Sequence, residues 1–195
     1  MRRSIVALLA IVLVALVAGS IAPVVGTARP QAESRPQQKS SPSSTVENLK
    51  REVRHELLTL PWYGIFDWLE AAIKNEDTVI LRGQVVRPTT KSDAESRVKG
   101  IEGVEQVINE IEVLPLSPND DRLRRAIYRT LFNWNSPLMR YSMGANPSIH
   151  IIVRNGHATL KGVVVNQMDS QLAYMRTRGV PGLFSVTNEL QIENR

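Results

Sequence analysis

His150 and His157 flank an Asn155-Gly156 pair, a spacing that could bring two imidazoles together across a tight hairpin as ligands for a transition metal. Such a site needs three or four donors. The chain has no cysteine, and no third ligand stands at a suitable spacing. His55, between Arg54 and Glu56, reads as a solvated residue on the polar side of a helix. Asp120 and Asp121 could serve as paired carboxylates, but they open a helix, where negative charge complements the dipole. Ser142 and Ser148 have no recognisable base or orienting partner. The glycines Gly83, Gly100, Gly103, Gly156, Gly162, Gly179 and Gly182 form no phosphate-binding loop and read as turn and close-packing positions. The chain is therefore expected to be non-enzymatic, with no cofactor and no metal.

Recognition chemistry stands out more clearly. Residues 46–115 carry a net charge of −4 and residues 118–195 one of +5, so the whole-chain value of +5 hides two halves of opposite sign. Arg122, Arg124, Arg125 and Arg129 crowd one helix, and Arg176 and Arg178 end another. Two aromatic-rich connections hold all three tryptophans. The first contains Trp62, Tyr63, Phe66 and Trp68; the second contains Trp134, Leu138, Met139 and Tyr141, flanked by Arg129 and Arg140. Trp and Tyr suit a membrane interface, with ring in the headgroup layer and polar edge wet, and arginine forks suit phosphate oxygens. The second connection, with Arg122, Arg125, Arg129 and Arg140, is the candidate membrane or partner surface, and Trp62, Tyr63, Phe66 and Trp68 form a secondary one. The alternative is that both connections fold over the open ends of small cores. Nucleic acid is not an expected partner, since no recognition motif or aromatic ladder accompanies the basic charge.

The elements that must position these residues come from a duplication. Gly83, Gly100, Gly103 and Asn109 recur 79 residues later as Gly162, Gly179, Gly182 and Asn188. Leu81-Arg82-Gly83 faces Leu160-Lys161-Gly162, and Val107-Ile108-Asn109-Glu110-Ile111 faces Val186-Thr187-Asn188-Glu189-Leu190. Ungapped agreement of this length is a strong repeat signal. The first helices match at a shift of 74, Leu49, Val53 and Leu57 against Leu123, Ile127 and Leu131, so the second copy has five extra residues after its first helix. Ser44 with Glu47 has capping-box spacing; Ser117, Pro118 and Asp120 suit the start of the second copy. Asn155-Gly156 predicts a two-residue hairpin turn, and Asn75-Glu76-Asp77 a longer, looser one. Ala94, Val98 and Ile101 mark a second helix in one copy, and Met168, Leu172, Met175 and Val180 its counterpart, with Gly100 and Gly179 as left-handed ends. The fold class is α+β: two copies of a small α-β-β-α-β module, helices packed on one face of a three-stranded mixed sheet.

Ahead of the copies, residues 1–28 combine Met1-Arg2-Arg3, an apolar run and a small-residue ending at Gly26-Thr27-Ala28. They read as a signal peptide cleaved after Ala28 or as a retained membrane anchor. Residues 29–45 form a disordered Pro/Ser/Gln linker. The first domain spans 46–114, a short proline-containing joint 115–118, and the second domain 119–195. Without cysteine, disulfides and lipid attachment through an N-terminal cysteine are excluded.

The hairpin ending in Leu81-Arg82-Gly83 or Leu160-Lys161-Gly162, the Gly103-Val104 elbow and the closing Asn109 and Asn188 strands resemble the BON domain. This small bacterial module is found singly or in tandem in periplasmic and outer-membrane-associated proteins. Leu183 after the second elbow glycine and Asp77 at the first hairpin depart from its pattern. The resemblance implies binding to phospholipid membranes or to other envelope components, support of envelope integrity, and no catalytic residue. The expectation is an exported, periplasmic protein, free or anchored to the inner membrane by residues 4–28. It would bind a membrane surface, with anionic phospholipid the leading ligand, or act as a protein–protein adaptor of the envelope. The two domains are candidates to pack on each other.

Overall fold

A computed structural model describes residues 42–144 and 146–193, with side-chain placement from residue 46. The expected signal or anchor and the linker up to residue 41 lie outside the described residues.

The first module runs α1 (Pro42–Leu58), β1 (Trp68–Lys74), β2 (Thr78–Val85), α2 (Pro88–Lys99), β3 (Gln106–Asn109) and β4 (Glu112–Val113). The second runs α3 (Pro118–Leu131), a 3-10 turn (Pro137–Tyr141), β5 (Ile149–Arg154), β6 (His157–Val164), α4 (Gln167–Arg178) and β7 (Ser185–Ile192). In each, an antiparallel hairpin adds a parallel last strand beside its second strand: β3 and β4 both pair with β2, and β7 with β6. β3 and β4 are one strand interrupted at Glu110-Ile111, so both modules carry the expected α-β-β-α-β order on a mixed sheet three strands wide.

Each module has its own core. Leu49, Val53 and Leu57 of α1 meet Val79, Leu81 and Val85 of β2 and Ala94 and Val98 of α2. Leu123, Ile127 and Leu131 of α3 meet Ile149, Ile151 and Val153 of β5, Leu160 of β6 and Ala173 of α4. Burying one such aliphatic side chain contributes about 1.5–3 kcal/mol, and without disulfides this packing holds the modules together.

Local signals behave mostly as their chemistry requires. Ser117 caps α3 by accepting from the Asp120 amide at 3.2 Å, with Pro118 in the first turn. Asn155 and Gly156 take φ of 50° and 80°, the conformation of a two-residue hairpin turn. The first hairpin uses the three residues Asn75-Glu76-Asp77, one more than its sibling, between Lys74 and its partner Thr78. Two expectations are corrected. Helix α1 begins at Pro42, inside the expected linker, so Ser44 is not its N-cap. Gly100 and Gly179 end their helices in right-handed conformation, at φ −81° and −75°, because their amides still bond back to Arg97 and Arg176 carbonyls.

The shared glycine of the hairpin has a steric cause. Gly83 and Gly162 lie at φ 128° and 122°, and a Cβ there would stand 1.9 Å from the Trp68 carbonyl oxygen and 2.0 Å from that of Ser148. The neighbouring strand's backbone crosses directly over each glycine. The shared Asn109 and Asn188 are ties between last strand and second helix. Asn109 Nδ2 donates to the Lys91 carbonyl and to Glu95, and its Oδ1 accepts from the Ile111 amide. Asn188 Nδ2 donates to Ser170, backbone and side chain, and its Oδ1 accepts from Leu190.

Gly83→Ala is expected to destabilise the chain by about 3 kcal/mol or more, in the range of severe backbone and packing defects. Gly103→Ala, at φ 91° but with nothing within 4 Å of the added carbon, should cost only the left-handed strain of about 1–2 kcal/mol. Urea unfolding of both variants measures the difference; equal losses would mean that the strand crossing is not what demands glycine.

Candidate binding surface

The histidines do not assemble. His150 pairs in register with Lys161 and His157 with Arg154, so the hairpin holds the two imidazoles apart along its length. His157 Nδ1 meets Ser185 Oγ at 2.7 Å, and His55 is exposed. Among the described residues, no three His, Cys, Asp or Glu side chains gather as a metal site. Asp120 has a structural task that the sequence did not announce. It is 1% exposed and its two carboxylate oxygens accept from the Asn155 and Gly156 amides, each at 2.8 Å, clamping the hairpin turn to the start of α3.

The first aromatic connection lies against the second module. The Ile151 amide on the outer edge of β5 donates to the Ile65 carbonyl at 2.8 Å. Ile65 and Phe66 pack on the second core, and Phe66 meets Tyr128 edge-on at 6.4 Å between ring centroids. His150, 4% exposed, sits with its ring 5.4 Å from Tyr63 and 5.1 Å from Trp68, and its Nδ1–H donates to the Gly64 carbonyl at 3.2 Å. Glu112 and Arg154 form an ion pair at 2.8 Å, and Lys161 Nζ lies 5.9 Å from the Trp68 ring centre. Buried Asp67 holds the connection in shape by accepting from the Val86 and Gly64 amides. Of the secondary candidate surface, Tyr63, Phe66 and Trp68 are thus half-buried; Trp62 alone is exposed, at 55%, under the Arg87 guanidinium.

In the second connection, Leu138 and Tyr141 are 0% and 5% exposed and belong to the core, and Met139 is half-buried. These three leave the candidate surface as an apolar tip. Ser136 caps the 3-10 turn, which folds Leu138 inward over the end of the helix–sheet core. Tyr141 is held by its hydroxyl, which donates to Asp169 at 2.6 Å and accepts from the Val165 amide. Arg140 also binds Asp169, so it is not a free cation. Burial raises the Asp169 carboxyl, but hydrogen bonds from Tyr141 and Arg140 outweigh it and hold the group below its ordinary value. Trp134 remains outside, 89% exposed.

Of the apolar residues that mark α4, only Val180, just past its end, is fully buried. The helix's own buried residues are Asp169, Ser170, Ala173 and Thr177, while Met168 and Met175 are 77% and 62% exposed and Leu172 is half-buried. The repeat offset of 79 contains this answer: the buried Thr90, Ala94 and Val98 of α2 map onto Asp169, Ala173 and Thr177. The outward positions of α2, namely Thr89, Asp93 and Ser96, are polar, whereas α4 places Met168, Leu172 and Met175 there. Ser136, two residues after Trp134, accepts through its Oγ from Arg176 at 2.6 Å, which ties the second connection to the C-terminal turn of α4.

The BON domain matches the chain twice, over residues 45–115 and 119–194. The chain belongs to the BON-domain family. Its members' modules are structural or binding units, and membership supports a membrane-associated envelope role in general. No curated protein matches the chain. Similar solved structures include two of one protein. One is of CdsD, a structural protein of the Type III secretion system of Chlamydia trachomatis, at 13% identity over 75% of this chain and 94% of that one, TM-score 0.29. The other is of the C-terminal domain of CdsD from the same organism, at 14% identity over 74% and 96%, TM-score 0.26. Likeness at this level carries no argument. Among the described residues of this BON protein, no helix is long and apolar enough to cross a membrane.

The second BON module carries its positive charge openly. Arg122, Arg125 and Arg129 are exposed along one side of α3, and with Arg176 and Arg178 of α4 they have no ion-pair partner among the described residues. Arg124 differs: it is 3% exposed, bonded to Asp121 and to the Val153 carbonyl. Both α3 and α4 lie on the same face of their sheet, so their solvent sides share the outer surface of the module.

The contacts around His150 set a pH dependence. Burial lowers its imidazole below the ordinary value, against carbonyls of Asp67, Gly64 and Pro147 that raise it. The unfolded chain then binds the proton more readily, so the contribution of His150 is full above about pH 6.5 and falls as pH drops through and below that value. Tyr63, pushed up to about 12 by burial, stays neutral throughout. Burial raises the Asp67 carboxyl, which acts in the opposite sense. Thermal unfolding at pH 7.5 and 5.5 should show wild type losing up to about 1.4 kcal/mol per pH unit below 6.5 relative to His150→Gln. Parallel profiles would show that this imidazole is not held neutral.

Proposed function

We propose that the second BON module is a membrane-binding head for anionic phospholipid and that the first is its acidic companion and spacer. One observation carries the reading: the outer face of α4 is apolar where the equivalent face of α2 is polar. Met168 and Met175, with Leu172 between them, and the exposed Trp134 of the same module offer side chains to the headgroup–acyl boundary. Helices with an apolar outer face and arginine-rich flanks lie in that boundary. Arg122, Arg125, Arg129, Arg176 and Arg178 supply the charge, at about 1 kcal/mol for each basic residue near an anionic surface, less with salt. The contacts of Ile65, Gly64 and Glu112 with the second module support a fixed placement of the two modules. Export to the periplasm, with residues 4–28 cleaved or serving as an inner-membrane anchor, completes the proposal.

Vesicle co-sedimentation of the chain from residue 29 onward, which contains every residue of both cores, tests it. Phosphatidylglycerol-containing vesicles should retain the protein better than neutral ones, and rising salt should weaken retention. Met168→Glu with Met175→Glu should reduce partitioning about tenfold or more, equivalent to about 1.4 kcal/mol. Equal recovery on neutral and anionic vesicles, or full retention of the double variant, would remove the lipid reading and favour an apolar protein partner.

A further inference from the structure

Every methionine after Met1 falls in the second module: Met139, Met143, Met168 and Met175. With no cysteine present, their thioethers are the reactive sulfur of the folded region. Methionine usually fills gaps in cores, yet Met143, Met168 and Met175 are 67%, 77% and 62% exposed. Two of them head the apolar face of α4. Neither belongs to the second core, whose α4 members are Ala173 and the partly buried Leu172.

We propose that Met168 and Met175 are an oxidation site that controls the attachment of this face, an inference that rests on the membrane reading above. The oxidant is of the peroxide class. Its terminal oxygen is transferred to the thioether lone pair: an S–O bond forms as the O–O bond breaks, the sulfur loses two electrons, and the peroxide leaves as water. The product is a polar sulfoxide in place of an apolar thioether. On a surface that must enter the headgroup–acyl boundary, this exchanges favourable transfer for a desolvation cost. The same change leaves the fold alone, because the inward side of α4 is Ser170, Ala173 and Thr177, none of which reacts. Oxidation therefore separates binding from folding, and a methionine sulfoxide reductase reverses it.

The test uses the chain from residue 29 onward, treated with hydrogen peroxide until mass spectrometry finds one oxygen on each of Met168 and Met175. Retention on phosphatidylglycerol vesicles should fall at least tenfold, with the thermal midpoint unchanged, and return after reductase treatment. Met168→Leu with Met175→Leu should bind like untreated wild type and keep its binding after peroxide. Complete oxidation without loss of retention, or equal loss in the leucine variant, would overturn this inference alone. Failure of the untreated protein to bind anionic vesicles would overturn the membrane reading and this inference with it.

Discussion

The outward-facing amide of Ile151 constrains much of what surrounds it. Strand β5 is an edge strand, paired only with β6, and a buried amide without an acceptor costs about 1–3 kcal/mol. The Ile65 carbonyl of the other module meets that need. To present it, the connection between α1 and β1 must be stiff, and Asp67 makes it so by gathering two amides within its own module. Tyr63, Phe66 and Trp68 then come to rest on the second module, and His150 is enclosed although it lies on the sheet face opposite to the core.

Equivalent segments of the two copies have taken different tasks as a result. The first connection is spent on the contact with the second module. The second, eight residues longer between its flanking elements, folds its 3-10 turn back over its own core, locks Tyr141 onto Asp169 and leaves Trp134 as its exposed aromatic residue. The glycines at the strand crossings and the asparagine ties stay alike, because each answers a backbone requirement that any copy of this fold must meet. Outer helix faces answer no such requirement. There the copies diverge, polar on α2 and methionine-rich on α4, and the divergence places an apolar stripe within the basic half.

The duplication, the element order, the Asn155-Gly156 turn, the Ser117 cap and the family were legible in the order of residues alone, because each rests on local spacing or on residues compared with their own repeat. That order also singled out Trp134 and Arg122, Arg125 and Arg129 of α3 as surface residues. Tertiary structure decided which way each apolar set faces. Met168, Leu172 and Met175 share a helical face by period, but periodicity does not say whether that face meets the sheet. The close seat of α4 on its sheet is filled by small residues, Ser170, Ala173 and Thr177, so the methionines turn outward. Leu138 and Tyr141 looked like a loop tip in one dimension. They are core residues because the chain doubles back over an open end that only the assembled sheet and helices create. The unexpected burial of His150 has the same origin, since the groups that cover it stand more than eighty residues away along the chain.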